Sequence, residues 1–331
     1  MSIKTNTELI DSENARFYQI SLEEAKKRVG VGEVKALLKP KPSSQKEENG
    51  QLTIIGGSSL FHGAPLLALT VASRIVDMVF FSGPKDDKDL TYKLKSELYS
   101  FIWVPEEEID YYIAKSDAVL IGPGLMRYHR EISNFPALPA GRQFLPLRQD
   151  FSGQAISNNK KVKLDKEGLK TKRLSERLLA KFPEKKWIID AGSLQTIEAK
   201  FIPQGAILTP NSREFEILFD LPKTPENVSL MAKKYQCIIV NKGGEATVSD
   251  EFKTKTIGMP QPGLTKGGTG DVTAGIIAAL ACKNDSFLAA SAGAFLVKLA
   301  AQRLGEKIGN YYNADDLAKA LPETIKWCED F

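Results

Sequence analysis

The residues with the clearest capacity for chemistry lie in Gly263–Cys282, GLTKGGTGDVTAGIIAALAC. A Gly-rich loop runs directly into an apolar, Ala-rich helical stretch, so several amides at the helix start have no intrahelical partner. Those donors, the positive end of the helix dipole and glycines that admit close approach make an anion site. Gly267, Gly268 and Gly270 provide the room, and Thr269 can add a hydroxyl. Asp271 stands out, because a carboxylate beside a phosphate-binding loop costs repulsion. Two roles are open to it. It could be a general base that takes a proton from a substrate hydroxyl while that oxygen attacks a nucleotide's terminal phosphate, or it could simply cap the helix.

A second polar group is Thr209-Pro210-Asn211-Ser212-Arg213-Glu214. A strand stops at Pro210, and Asn211 and Glu214 share one helical face. They could hold a hydrated Mg²⁺ near phosphates, since this ion keeps waters and needs few protein oxygens. They could equally form a capping box, and spacing does not separate the two. Lys242-Gly243-Gly244 follows CIIVN and precedes EATVSD and EFKTKTI, a pattern of strand, Gly turn and β-hairpin. Such a turn could cover an adenine or ribose, or be a plain hairpin. No G-x-x-x-x-G-K-[ST] occurs, and no G-x-G-x-x-G follows a strand, which sets aside P-loop and dinucleotide-binding Rossmann enzymes.

These groups need elements to bring them together. From residue 52 onward, short β-branched runs alternate with helical patterns: LTII, DMVFFS, DAVLIG, KWIID, AILT and CIIVN are the strands. Continuous apolar strands between helices predict a mostly parallel sheet covered on both faces. Ligands in such folds sit beyond the carboxyl ends of strands. Gly56-Gly57-Ser58, Gly122-Pro123-Gly124, Asp190-Ala191-Gly192 and Thr209-Pro210-Asn211 each follow a strand at once. They could line one crevice or be ordinary turns.

The chain has 331 residues, 42% hydrophobic and 26% charged, which allows a sizeable core and excludes whole-chain disorder. Its 45 Lys and Arg exceed its 41 Asp and Glu by only four, too little for a dedicated nucleic-acid binder. The longest uncharged apolar run, Gly275–Cys282, is far short of a bilayer span, so no membrane association is expected. The start, MSIKTNTELIDSEN, lacks the features of a secretory signal, and a cytoplasmic location is expected. Cys237, Cys282 and Cys328 show no metal-ligand spacing and read as reduced, mostly core thiols. Residues 1–50 read as a peripheral helical and connector segment, and 51–331 as the catalytic domain. The Pro- and Arg-containing stretch 126–166 reads as an insertion, either a surface loop or a lid. The apolar SFLAASAGAFLVKLAAQRL fits core better than interface.

Taken in order, KPKPSSQKEENGQLTIIGGS, GAPLLA, VLIGPGL, IIDAGSL, ILTPNSREFE, VNKGG and GLTKGGTGDVTAGIIAAL resemble the ADP/ATP-dependent NAD(P)H-hydrate dehydratase family, over most of residues 38–320. The resemblance implies a ribokinase-like three-layer α/β/α sandwich. It also implies repair of hydrated NADH or NADPH: ADP or ATP, with Mg²⁺, phosphorylates the ring hydroxyl, and loss of phosphate restores the reduced ring. It makes Asp271 the base, with the backbone of Gly268, Thr269 and Gly270 on the transferring phosphoryl group. It places the hydrated nicotinamide nucleotide near Ala64, Gly124, Asn211 and Asp271, among the strand tips Gly57, Ser58 and Gly122. The adenine nucleotide falls near Lys242, Gly243, Gly244, Glu245, Ala246 and Gly270, and Glu214 would meet Mg²⁺ through water. A homotetramer and a separate epimerase are implied as well.

This sequence departs from the family pattern at three motif positions, and the 126–166 insertion has no counterpart in it. Asn211 stands where His is frequent, and Ser212-Arg213 where a Pro-Gly pair is frequent. Gly192 replaces the second acid of D-A-D-A-L. Two other readings share the anion site: a kinase of the same fold acting on a thiazole or pyrimidine alcohol, and a nucleotide-binding module without turnover.

Overall fold

The computed structural model describes residues 6–83, 98–127, 164–244 and 246–331. Most of the expected insertion and Glu245 lie outside the described residues. In chain order the described elements are α1 (Asn6–Tyr18), α2 (Leu22–Ala25), α3 (Val31–Lys35), β1 (Gln51–Ile55), α4 (Gly63–Ala72), β2 (Met78–Ser82), β3 (Ile102–Trp103), α5 (Ile109–Lys115), β4 (Ala118–Ile121), α6 (Lys166–Lys181), β5 (Lys186–Ile189), α7 (Ala191–Leu194), β6 (Ile207–Leu208), α8 (Ser212–Phe219), α9 (Pro225–Tyr235), β7 (Ile238–Asn241), β8 (Ala246–Ser249), β9 (Thr254–Ile257), α10 (Thr269–Ala281), α11 (Ser286–Ile308) and α12 (Ala314–Asp330). The strands form one sheet in the order β3-β2-β1-β4-β5-β6-β7-β8-β9. Pairings from β3 to β7 are parallel, and the β7–β8–β9 edge is antiparallel. The six strands read from the sequence are all present, and so is the hairpin after Gly244. The two-residue β3 was not legible, since Ile102-Trp103 is too short to show a period.

Successive strand residues face opposite cores, as the pleat requires. Leu120 and Ile188 join the core with α4, α10, α11 and α12. Their neighbours Ile121 and Ile189 join the core with α5, α6, α8 and α9. Burial on both faces is the physical reason these strands are apolar without alternation.

Register then sets the site. Ile55 pairs with Ile121, Ile121 with Ile189, Ile189 with Leu208, and Leu208 with Ile239. The residues that follow, Gly56, Gly122, Asp190, Thr209 and Val240, therefore stand in one row at the carboxyl edge.

α11 is long and apolar enough to cross a membrane by length and composition, but 78% of its apolar window is buried inside the molecule. It is a core helix, as its pattern predicts. Residues 29–34, within the segment read as peripheral, are buried. Val29, Val31 and Val34 belong to the larger core, and Arg28 bridges to Thr256 beside the edge strand β9. Thr256 N–H donates to Lys27 O and Val29 N–H donates to Thr256 O. A segment this polar gives no sequence signal for such pairing, because the pairing depends on an edge strand more than 200 residues away.

Candidate active site

The helix α10 starts where the Gly-rich loop predicts. Its N-cap is Gly268, with φ of 90°, and no side chain caps it. A Cβ at Gly268 would lie 2.5 Å from Leu67 and 2.9 Å from Ala314, so both the backbone conformation and the packing demand glycine. Asp271 falls in the first turn, two residues past Thr269, so it is not the cap. Thr269 departs from expectation. It is buried, and its hydroxyl donates to the carbonyls of Leu264 and Lys266 at 2.7 and 2.9 Å. With its single proton engaged there, it ties the incoming loop to the helix and does not offer a donor to phosphate. A Cβ at Gly270 would sit 3.3 Å from Lys242 Nζ, which places a cation at the helix start.

Lys242 comes from the end of β7 and joins the strand tips electrostatically. Its ammonium donates to Asp190 Oδ1 at 3.1 Å, and Thr209 Oγ1 donates to the same oxygen at 2.6 Å. Burial opposes the charge on Lys242, but Asp190, Glu214 and Asp271 hold its pKa above the ordinary lysine value. Asp271 is pushed up to about 7. Burial is the main cause and the Asp190 charge the next; Lys242 opposes them, and Glu214 adds to the rise. Glu214 is also raised, by burial and then by Asp190. Three acids and one lysine from four separate segments thus share one low-dielectric site.

The Asn211–Glu214 alternative resolves toward the capping box. Asn211 Oδ1 accepts from Glu214 N–H, and Glu214 Oε2 accepts from Asn211 N–H, both at 2.9 Å. Glu214 Oε1 accepts from Gln195 Nε2 at 3.1 Å. Among the described residues no three His, Cys, Asp or Glu side chains converge as a metal site. The donor set among the described residues does not fit a protein-ligated ion.

The remaining expected residues fall into two groups. Asn211, Lys242, Gly243, Gly244, Ala246, Thr269 and Gly270 line one cavity of about 530 Å³, whose other walls include Pro260–Pro262, Leu264, Thr265 and residues of α11. The other group does not line that cavity but interlocks along the neighbouring tips. Gly57 N–H donates to Pro123 O at 2.8 Å. A Cβ at Gly124 (φ 72°) would meet Phe61 O at 2.2 Å, and one at Gly122 (φ 123°) would meet Asp190 O at 1.8 Å. Ser58 Oγ accepts from Phe61 N–H, turning the chain toward α4, whose first turn carries Ala64. Gly192 has its own reason: a Cβ there would lie 2.2 Å from Leu125 O. The close approach of the β4 and β5 tips leaves no space for the acid of the family pattern.

Reasoning from sequence named Asp190 only as part of a strand tip, without a role of its own, and missed Lys223, Gln195 and Lys298. The available signal was a lone Lys inside the apolar run of α11, and Asp190 at a strand end.

A mostly parallel sheet between two helical layers gives the chain a ribokinase-like fold: it matches a ribokinase-like superfamily protein of Enterococcus faecalis with TM-score 0.69 at 19% identity, over 91% of this chain and 96% of that one. The solved ADP/ATP-dependent NAD(P)H-hydrate dehydratase from Bacillus subtilis, co-crystallised with ATP/Mg²⁺, has this fold: TM-score 0.69 and 20% identity over 91% of this chain and 98% of that one. Residues 164–323 match the family model described as NAD(P)H-hydrate dehydratase. It is 32% identical to the bifunctional NAD(P)H-hydrate repair enzyme Nnr of Methanocaldococcus jannaschii, over 96% of this chain and 56% of that protein. It is 27% identical to the ADP-dependent (S)-NAD(P)H-hydrate dehydratase of Cenarchaeum symbiosum, over 86% of this chain and 91% of that protein. The chain thus spans about half the length of the bifunctional relatives it matches.

Proposed function

We propose that this chain is an ADP- or ATP-dependent NAD(P)H-hydrate dehydratase. The observation that carries the reading is Asp271, with a pKa of about 7, at the start of α10 beside the Lys242 cavity. An acid so tuned is ionised in a useful fraction at neutral pH and still basic enough to accept a proton.

In this reading the adenine nucleotide occupies the cavity, with Lys242, Gly243, Gly244, Ala246 and Gly270 around it. Its terminal phosphate meets the amides at Gly268–Gly270, where the helix dipole and Lys242 stabilise charge during transfer. The hydrated nicotinamide lies toward Gly57, Ser58, Ala64, Gly122, Gly124 and Asn211. Asp271 takes the proton of the ring hydroxyl as that oxygen bonds to phosphorus and the bond to the nucleotide breaks. Phosphate then leaves with the carbon–oxygen electron pair, the ring nitrogen supplies electrons, and the adjacent carbon loses a proton. A Mg²⁺ carried on the phosphates would neutralise their charge and meet Glu214 only through water. A cytoplasmic setting, a homo-oligomer, and a separate epimerase that interconverts the hydrate epimers belong to the same proposal.

The test is to incubate the purified protein with chemically prepared NADH hydrate, Mg²⁺ and either ADP or ATP while following the absorbance of the reduced nicotinamide. Recovery with release of free phosphate is expected. A folded protein that restores no absorbance with either donor overturns the proposal, and accumulation of a stable phosphorylated alcohol points instead to a kinase.

A further inference from the structure

Lys298 lies on the inner face of α11 and is only 5% exposed, yet it lines the cavity. Its ammonium donates to three carbonyls: Gly243 at 3.1 Å, Gly244 at 2.7 Å and Met259 at 3.4 Å. The first two belong to the turn between β7 and β8, and Met259 leads into Pro260, Gln261 and Pro262 on another wall. One cation therefore ties two walls of the cavity together. A second lysine continues the pattern. Lys223 Nζ donates to Lys242 O at 2.9 Å and to Pro210 O at 3.3 Å, joining the same turn to the segment that carries Asn211.

The consequence follows from peptide geometry. Three successive carbonyls, of Lys242, Gly243 and Gly244, are drawn to ammonium groups. In a planar trans peptide the N–H points opposite to the C=O. The amides of Gly243 and Gly244 are thereby turned away from the lysines. A Cβ at either glycine would meet nothing within 4 Å, so side-chain packing does not fix this turn.

We infer that Lys298, with Lys223 as a second arm, is a positioning residue for the nucleotide: the two lysines hold the 242–244 turn so that its amides meet acceptor oxygens of the bound nucleoside phosphate. The identity of that ligand rests on the function proposed above. Substitution of Lys298 removes the cation but leaves Gly243 and Gly244, which are exposed, able to bond water. The fold is retained while the turn loses its orientation.

The experiment measures calorimetric affinity for ADP and for ATP, alongside steady-state kinetics with NADH hydrate, for wild type, Lys298→Met, Lys298→Arg and Lys223→Met. Lys298→Met is expected to weaken nucleotide binding about tenfold or more, the scale of losing charge-assisted hydrogen bonds. Its kcat at saturating nucleotide and its KM for the hydrate are expected within about twofold of wild type, with Tm retained. Lys298→Arg keeps the charge and recovers part of the affinity, and Lys223→Met weakens it in the same direction. Unchanged nucleotide affinity in folded Lys298→Met or Lys223→Met overturns the inference. So does a loss that spreads equally to the hydrate KM, or wild type that binds neither nucleotide. Wild type that binds nucleotide but restores no NADH refutes the proposed function, while the affinity ratios still decide the role of Lys298.

Discussion

Asp271→Asn separates the tuning of the acid from its chemistry, because its effect on stability can be read without substrate. The carboxyl rises from 3.8 to about 7, chiefly through burial and then the Asp190 charge. The folded protein therefore keeps a proton that the unfolded chain gives up above pH 3.8. Where the native state binds more protons, stability falls as pH rises. The shift of about 3 units, at 1.36 kcal/mol each, corresponds to about 4 kcal/mol lost between pH 4 and pH 8. Asparagine keeps the shape and never ionises, so the variant escapes that loss. Its advantage over wild type is expected to be below about 1 kcal/mol at pH 4, about 1.5–2 kcal/mol at pH 5 and about 4 kcal/mol by pH 8, roughly 5 °C or more in Tm. Thermal unfolding of both proteins without ligand from pH 4.5 to 8.5 measures the difference for the coupled site as a whole, since titrating groups remote from it cancel. A Tm difference that stays flat across this range would refute the reasoning. The same substitution should abolish turnover and leave nucleotide affinity intact or improved.

The remaining expectations concern the surroundings of that acid. In wild type, kcat/KM should fall about tenfold per pH unit below pH 7 and level off above it, as a required ionised base dictates. Lys242→Met removes the cation that opposes the rise in Asp271, so this limb should move to higher pH in a pH–rate profile; a limb that stays in place contradicts the coupling. Gly192→Ala forces a Cβ to within 2.2 Å of Leu125 O and should destabilise by roughly 1–3 kcal/mol in urea unfolding. The thiols of Cys237, Cys282 and Cys328 are buried and pushed up to about 12, so a chromogenic disulfide reagent at pH 8 should label them only after unfolding.

Much of this site was legible because it is written locally. GGTGD before an apolar helical run specifies an amide-rich helix start through its own backbone, and LTII, AVLI, WII and IIVN specify strands through their own burial on two faces. The four strand tips were legible for the same reason, since Gly, Pro and Asp end strands wherever they occur. Thr269 was misread because a hydroxyl's direction depends on the loop that folds back over it, here the carbonyls of Leu264 and Lys266.

The sequence by itself determined the kind of sheet, the uncapped glycine-led helix start and the presence of an acid beside it. These follow from short-range periodicity and backbone freedom. Only the tertiary structure decided what that acid is. Its pKa of about 7 comes from burial and from Asp190, Glu214 and Lys242, all distant along the chain and brought together by strand register. It also decided that Gly192 cannot carry a side chain and that Lys298 holds a turn some fifty residues away. Both facts depend on distances between segments, and no spacing along one segment encodes them.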